Sequence, residues 1–273
     1  MRVFGLLGDK RVAKSLSPRM HNAVLARHGL DGVYVPIAVE PTRVEQAVAS
    51  FKTLGLAGVN VTVPHKEAVA PLLDSLSAQA RALGAVNTIV FRGVEMVGYN
   101  TDVEGFGEAL AQAGFSPRGR RALVFGAGGA ARAVVMSLRG LGAAEVTVVS
   151  RTLERTRRLA LDLGARAEKL EQAPALSGAM DLVVNTTPVS SRAESPEMAD
   201  LALGLKLGGG CRLLVDINYG RGRTFWEEAA RGQGVPFMNG LAMLAHQARL
   251  SFKLWTGVDA TAQEFVSALE SVS

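Results

Sequence analysis

Residues 121–131 read Arg121-Ala122-Leu123-Val124-Phe125-Gly126-Ala127-Gly128-Gly129-Ala130-Ala131. A short apolar run feeds directly into G-x-G-x-x-A, and an amphipathic pattern continues to about Arg139. Strand, tight turn and helix in that order are the context in which such a glycine pattern reads as a dinucleotide fingerprint. Gly126 permits the turn, Gly128 lets the backbone approach a pyrophosphate, and Ala131 lets helix and strand pack closely. Unpaired N–H groups at the helix start then attract phosphate. A lone motif of this kind can be no more than a tight turn. Here strand patterns recur at Glu145–Val149, Asp181–Asn185 and Arg212–Ile217, spaced for right-handed crossovers. The pattern predicts a parallel, doubly wound sheet.

The strand after the fingerprint ends in Ser150-Arg151-Thr152, with Arg155 about one helical turn later. An NAD site usually carries Asp or Glu at that strand end to bind the ribose 2′-hydroxyl. A hydroxyl and a guanidinium there match a 2′-phosphate instead, because the Arg fork pairs with phosphate in two-point geometry. NADP is therefore expected over NAD. Thr152 would serve equally as an ordinary cap of a solvated helix.

Upstream, the chain alternates shorter elements. Strands are expected at Arg2–Leu7, Val33–Val39 and Gly58–Val63, and a hairpin at Ala85–Phe91 and Glu95–Tyr99. Helices are expected from Ser17-Pro18 (a capping residue and a first-turn proline) to Gly29, over Pro41–Leu54, and from about Asp102 to Gln112. From Gly240 onward two helical patterns follow with no strand. Ser190–Ala199, polar and containing Pro196, is expected to be a mobile loop.

Polar residues collect where these strands end. Ser15-Leu16-Ser17-Pro18 follows the first strand, and Asn60-Val61-Thr62-Val63-Pro64-His65-Lys66 ends the third. Gly84-Ala85-Val86-Asn87-Thr88 and Gly98-Tyr99-Asn100-Thr101-Asp102 add two Asn-Thr pairs. Ligands of open α/β folds gather beyond the carboxyl ends of strands, and converging hydroxyls and amides suit a small polyhydroxylated substrate. Asx and Ser turns would also account for each segment taken singly.

Lys66 and Asp102 are the ionisable pair of this group. The chain has 23 Arg and 7 Lys. Where Arg is so favoured, a Lys points to a need for an exchangeable proton, which Arg does not supply. The plain alternatives are a surface lysine and a helix N-cap. His65 is a rival acid or base, but its side chain is expected to point elsewhere. His21, His28 and His246 lie in helical patterns without metal-ligand spacing, so no metal site is expected.

Composition bounds the reading. In 273 residues, 48% are hydrophobic and 20% charged, enough for a packed core and against disorder. The single cysteine, Cys211, excludes a disulfide framework and suits a reducing compartment. No apolar run reaches the ~18 residues of a membrane span, and the opening MRVFGLLGDK has too short an apolar run for a signal peptide. The net charge is +5. Yet its densest basic groups, Arg118–Arg121 and Arg151–Arg158, are interrupted and lack interleaved aromatics, which argues against nucleic acid and for an anionic small ligand. A cytoplasmic protein with a small-molecule substrate, neither nucleic acid nor membrane as partner, is expected; a homodimer is left open.

These segments, with His21-Asn22, Ser150-Arg151-Thr152 and Gly240 through Gln247, closely resemble the shikimate dehydrogenase family over essentially the whole chain. The resemblance implies an N-terminal α/β substrate domain, residues 1–101 completed by 238–273, and a Rossmann-type NADP-binding domain at 102–237. Ser15, Ser17, Asn60, Thr62, Asn87, Asp102, Tyr219 and Gln247 would hold substrate, with Lys66 as acid/base and Asp102 beside it. Gly126, Ala127, Gly128, Gly129, Ala130, Ser150, Arg151, Thr152, Arg155, Asn185, Thr186, Thr187, Ile217 and Gly240 would line the NADP site, with Met243 near the nicotinamide. The implied reaction is reversible reduction of 3-dehydroshikimate to shikimate, a step of chorismate and aromatic amino acid biosynthesis. A quinate or other analogue dehydrogenase and a non-catalytic NADP-binding protein are the alternatives. The chain departs from the family at Ser150 (usually Asn), at Val189-Ser190-Ser191 (usually bearing Gly-Met), and at Gly220–Thr224, which lacks the usual Pro. Two connections, near Asn100–Asp102 and Asn239-Gly240, are the expected hinges, the second through the backbone freedom of glycine.

Overall fold

The computed structural model describes residues 1–220 and 222–270; Arg221, within the segment Gly220–Thr224, lies outside the described residues. Two compact units form, one from Met1–Gly105 with the segment from Leu244 onward, the other from Phe106–Met243.

The first unit contains β1 (Arg2–Gly8), α1 (Ser17–Arg27), β2 (Gly32–Ala38), α2 (Val44–Thr53), β3 (Leu56–Val61), α3 (Lys66–Val69), β4 (Ser75–Leu76), α4 (Ala78–Leu83), β5 (Thr88–Arg92), β6 (Glu95–Tyr99) and the start of α5 (Asp102–Gln112). Its sheet runs β2-β1-β3-β5-β6-β4, with β1, β2 and β3 parallel and the β5–β6 hairpin antiparallel. Pro36 sits within β2, an edge strand, where a missing N–H is tolerated. Buried aliphatics of β1, β3 and α2, together with Phe51, fill one side through Leu7, Val59, Val61 and Val48. Ser17 is the first residue of α1 rather than its cap; Leu16 takes the cap position and makes no side-chain cap bond.

On α1, His21 is 1% exposed and neither ring nitrogen has a hydrogen-bond partner. It stacks on Tyr34 at 4.3 Å and meets the Phe265 ring edge-on at 5.3 Å. Burial pushes this imidazole down to about 3. Between that value and the ordinary imidazole range, the unfolded chain carries a proton that the folded chain refuses, so stability falls as pH falls. About 2 kcal/mol should be lost between roughly pH 6.5 and pH 5 from this one residue. Urea unfolding of the wild type and His21→Phe across that range checks it: the phenylalanine variant should show a flatter dependence, and parallel curves would refute the assignment.

The second unit contains β7 (Arg121–Phe125), α6 (Gly129–Gly140), β8 (Glu145–Ser150), α7 (Leu153–Leu163), β9 (Arg166–Lys169), α8 (Ala173–Ser177), β10 (Leu182–Asn185), α9 (Pro196–Leu203), β11 (Leu213–Asp216), α10 (Phe225–Gly232) and β12 (Phe237–Asn239). Its strands are all parallel, in the order β9-β8-β7-β10-β11-β12. Alternate residues face opposite layers. Val124, Val148 and Val184 pack with Val134 and Leu138 of α6, whereas Leu123, Val183 and Leu214 pack with Met198 of α9 and Trp226 of α10. With both faces covered, these strands read as near-continuous apolar runs.

The C-terminal segment forms α11 (Leu241–Thr256) and α12 (Ala262–Glu270). Two expectations need correction. The edge strands β9 and β12 add to the strands that the sequence pattern predicts. Ser190–Ala199 is not a single loop: Pro196 begins α9, and the Ser195 hydroxyl caps it by accepting from Met198 N. Proline there starts a helix, as first-turn prolines do.

Candidate active site

In the second unit the strand order reverses between β7 and β10, its topological switch point, where open parallel sheets bind ligands. The chain leaves β7 at Gly126, whose φ of +113° few other residues adopt, and a Cβ there would lie 2.4 Å from Thr186 Oγ1. Gly128 caps α6, and a Cβ added to it would meet nothing within 4 Å, so the helix N-terminus is open to an approaching group. Ala131 is buried against the sheet.

A pocket adjoins this turn. Gly126, Ala127, Ser150, Arg151, Thr152, Arg155 and Thr187 line it, as do Pro188, Val189 and Leu170, with Ser195 and Met198 of α9. Arg151 and Arg155 are exposed, and their cationic groups are placed to meet an anion that enters. Ser150 Oγ is tied to Thr156 Oγ1 at 2.7 Å and accepts from Thr152 N, which fixes the turn that presents Arg151. Thr152 occupies the cap position of α7 but makes no side-chain cap bond. A 2′-phosphorylated ribose fits this donor set, in which β8 ends on Ser150 and is followed by Arg151, with no acidic side chain at that point.

Other expected cofactor residues are not among those that line the pocket. Asn185 is fully buried, donating to Asp216 and accepting from Thr187 N, so it shapes the loop instead of facing the pocket. Thr186 Oγ1 donates to Phe125 O at 2.6 Å. Gly129 and Ala130 form the first turn of α6. Met243 is 7% exposed within the core of its unit, and Ile217 packs against that core. Gly240 is needed for close approach and not for a left-handed turn: a Cβ would fall 1.9 Å from Ile217 O. Tyr219, half-buried, belongs to the same unit.

In the first unit, Lys66 opens α3 and its Nζ donates to Asp102 Oδ2 at 2.6 Å, with side chains 14% and 6% exposed. Asn87 Nδ2 donates to the other oxygen, Oδ1, at 2.8 Å. The orientation of Asn87 is forced, because its Oδ1 accepts from Thr101 N at 2.8 Å and that backbone group can only donate. Asn100 Oδ1 accepts from Asp102 N at 3.0 Å. Each carboxylate oxygen therefore has a dedicated donor, and the lysine is held in place while keeping further hydrogens for a substrate. Gln247 Oε1 stands 3.5 Å from Asn87 Nδ2, bringing α11 to the same place.

Ser15 and Ser17 hydroxyls lie 3.2 Å apart in the turn after β1. Thr62 is half-buried just past β3; a Cβ on Gly8 would lie 2.6 Å from Thr62 Cγ2, so the exits of β1 and β3 adjoin. His65 points away, to Val39 O at 2.9 Å. Asn60 differs from expectation: both its amide hydrogens go to protein acceptors (Asn87 O, Thr88 Oγ1 and Ser251 Oγ), and its oxygen accepts from the Tyr34 hydroxyl. It braces the site from behind. Tyr34 and Ser251 of this brace carry no local sequence signal, since only the fold brings them to Asn60. No group of His, Cys, Asp and Glu among the described residues could hold a metal.

A Rossmann-type unit with a pocket at its switch point, in one chain with a unit bearing a lysine–carboxylate pair amid hydroxyls and amides, defines a nicotinamide-dependent oxidoreductase. Comparison with known proteins carries this further. Family models described as "Shikimate dehydrogenase substrate binding domain", "Shikimate / quinate 5-dehydrogenase" and "Shikimate 5'-dehydrogenase C-terminal domain" match residues 6–89, 109–221 and 240–270. A relative from Symbiobacterium thermophilum, named shikimate dehydrogenase (NADP(+)), is 42% identical over 98% of this chain and 95% of its own length. The crystal structure of shikimate dehydrogenase from Aquifex aeolicus superposes with a TM-score of 0.89 at 33% identity, covering 99% of this chain and 98% of that one. The Thermus thermophilus enzyme in complex with NADP(H) and shikimate gives 0.85 at 38% identity, covering 99% of each chain. The chain belongs to the shikimate dehydrogenase family.

Proposed function

We propose that this protein catalyses the reversible NADP-dependent reduction of 3-dehydroshikimate to shikimate, in chorismate and aromatic amino acid biosynthesis. The observation that carries the reading is the Lys66–Asp102 pair, intact, hydrogen-bonded at 2.6 Å and braced by Asn87. Residues 1–101 with 238–273 chiefly take the substrate, joined by Asp102 and Tyr219, and 102–237 chiefly the cofactor. When bound, the nicotinamide supplies or accepts the hydride at C3 of the substrate. Lys66 does the proton work there: protonated, it donates to the developing alkoxide in reduction; neutral, it accepts the hydroxyl proton in oxidation. Asp102 orients the ammonium and accepts from the same substrate hydroxyl. Ser15, Ser17, Thr62, Asn87, Tyr219 and Gln247 satisfy the remaining hydroxyls and the carboxylate, so an analogue lacking one leaves a partner unpaired. Arg151 and Arg155, lining the pocket beyond β8, hold the 2′-phosphate.

A non-catalytic role would not need the pair. A quinate enzyme would share it, and the two are separated by following nicotinamide absorbance with shikimate and with quinate, each against NADP and NAD. Shikimate with NADP should give the highest kcat/KM. Faster turnover of quinate with NAD would overturn the assignment. The single cysteine supports a cytoplasmic setting.

A further inference from the structure

Asp216, at the end of β11, is a carboxylate with 0% exposure, and its hydrogen-bond partners among the described residues are neutral donors. Asn185 Nδ2 donates to Oδ1 at 2.9 Å, as do Asn218 N at 3.1 Å and Asn218 Nδ2 at 2.7 Å; Ser190 Oγ donates to Oδ2 at 2.7 Å. Burial pushes the carboxyl upward, and the donors from Ser190, Asn218 and Asn185 oppose it. A buried acid is costly unless its bonds do something, because an anion out of water must recover its lost hydration through fixed donors.

What these donors share is position. Asn185 and Ser190 bracket the segment Thr187-Pro188-Val189, which lines the nucleotide pocket together with Gly126, Ser150 and Arg151. The bracket is closed twice more. Asn185 Oδ1 accepts from Thr187 N and Oγ1, and Asn218 Nδ2 donates to Thr187 O at 2.8 Å and to Ser190 Oγ at 2.9 Å. Val189 O accepts from the buried Trp226 indole, and Ser190 O from Phe225 N. Asn185 and Ser190, two of the three residues that donate to Asp216, flank this wall, and the third, Asn218, also donates to Thr187 O, so the carboxylate acts on the wall through its two ends and through Asn218.

We propose that Asp216 and Ser190 are positioning residues for the cofactor, with Asp216 serving as the buried anchor that holds the Thr187–Val189 wall in its binding conformation. The proposal rests on the NADP reading of the pocket and adds to it residues that do not touch the cofactor. The role is distinct from catalysis: loosening the wall should weaken the nucleotide while leaving the Lys66 site untouched.

Two variants test this, Ser190→Ala and Asp216→Asn, each compared with the wild-type full chain by NADPH fluorescence titration, steady-state kinetics and thermal melting. Ser190→Ala removes one bond to the carboxylate, and the NADPH Kd should rise about 5–10-fold, the net worth of one ordinary hydrogen bond felt through the wall. Shikimate KM, and kcat at saturating NADP, should stay within about twofold. Asp216→Asn, which sets an amide N–H against existing donors, should weaken NADPH further. Should that variant fail to fold, Ser190→Ala decides. An unchanged NADPH Kd in a folded Ser190→Ala protein overturns the anchor while wild-type binding still upholds the NADP site. Equal losses in NADPH Kd and shikimate KM overturn it too, since that is a general loosening of structure. A wild-type protein that binds no NADPH overturns both readings.

Discussion

Replacing Lys66 with alanine should lower turnover by about 10²–10⁴-fold, the usual loss on removing a general acid–base group. Shikimate KM should change far less, because proton transfer to or from the C3 oxygen is realised only in the transition state. The structure explains why the adjacent histidine should not take over: His65 is turned to Val39 O. Loss of the ammonium also leaves Asp102, 6% exposed, with one fewer donor, so a melting curve must accompany the kinetics. Lys66→Arg separates charge from proton exchange: the guanidinium preserves the positive charge but does not give up its proton near neutral pH. A strongly impaired arginine variant assigns proton transfer to Lys66; near-normal turnover in either variant would remove it from the chemistry.

The central unit is legible in the sequence because its strands are covered on both faces. Leu123-Val124 or Val183-Val184 places consecutive apolar residues in opposite layers, a pattern that survives without alignment. The edge strands are not legible for the converse reason. Arg166–Lys169 reads Arg-Ala-Glu-Lys, is half to fully solvated, and pairs along one side only. Pro196 reads as a breaker because the capping bond from Ser195 that makes it a helix start is seen only in three dimensions. In the site, Lys66, Asn87 and Asp102 stand out as polar residues at strand ends, where burial needs a reason. Asn60 stands out equally, yet it faces inward. Residue type and period place a side chain on a face of the sheet, but they do not say whether another element will cover that face. Here Ser251 of α11, 191 positions along the chain, supplies the cover.

Arg151→Ala should raise the KM for NADP by about 10–150-fold, corresponding to roughly 1.5–3 kcal/mol of charge-assisted bonding to the 2′-phosphate. The KM for shikimate should barely move, since Arg151 is not among the groups proposed to hold the substrate. The comparison that decides is with NAD, which lacks that phosphate: its KM should be nearly the same in wild type and variant, so the preference for NADP collapses because one cofactor loses affinity and the other does not. Arg151 is exposed and Arg155 lines the same pocket, so salt should weaken the effect and the remaining arginine should partly compensate. The double variant Arg151→Ala/Arg155→Ala should therefore lose more than Arg151→Ala alone. Arg151→Lys should fall between, keeping the charge while losing the two-point fork. Were NAD and NADP to weaken equally, Arg151 would be acting on the adenine face that both cofactors share, and the phosphate clamp would have to be sought at Arg155 and Thr152.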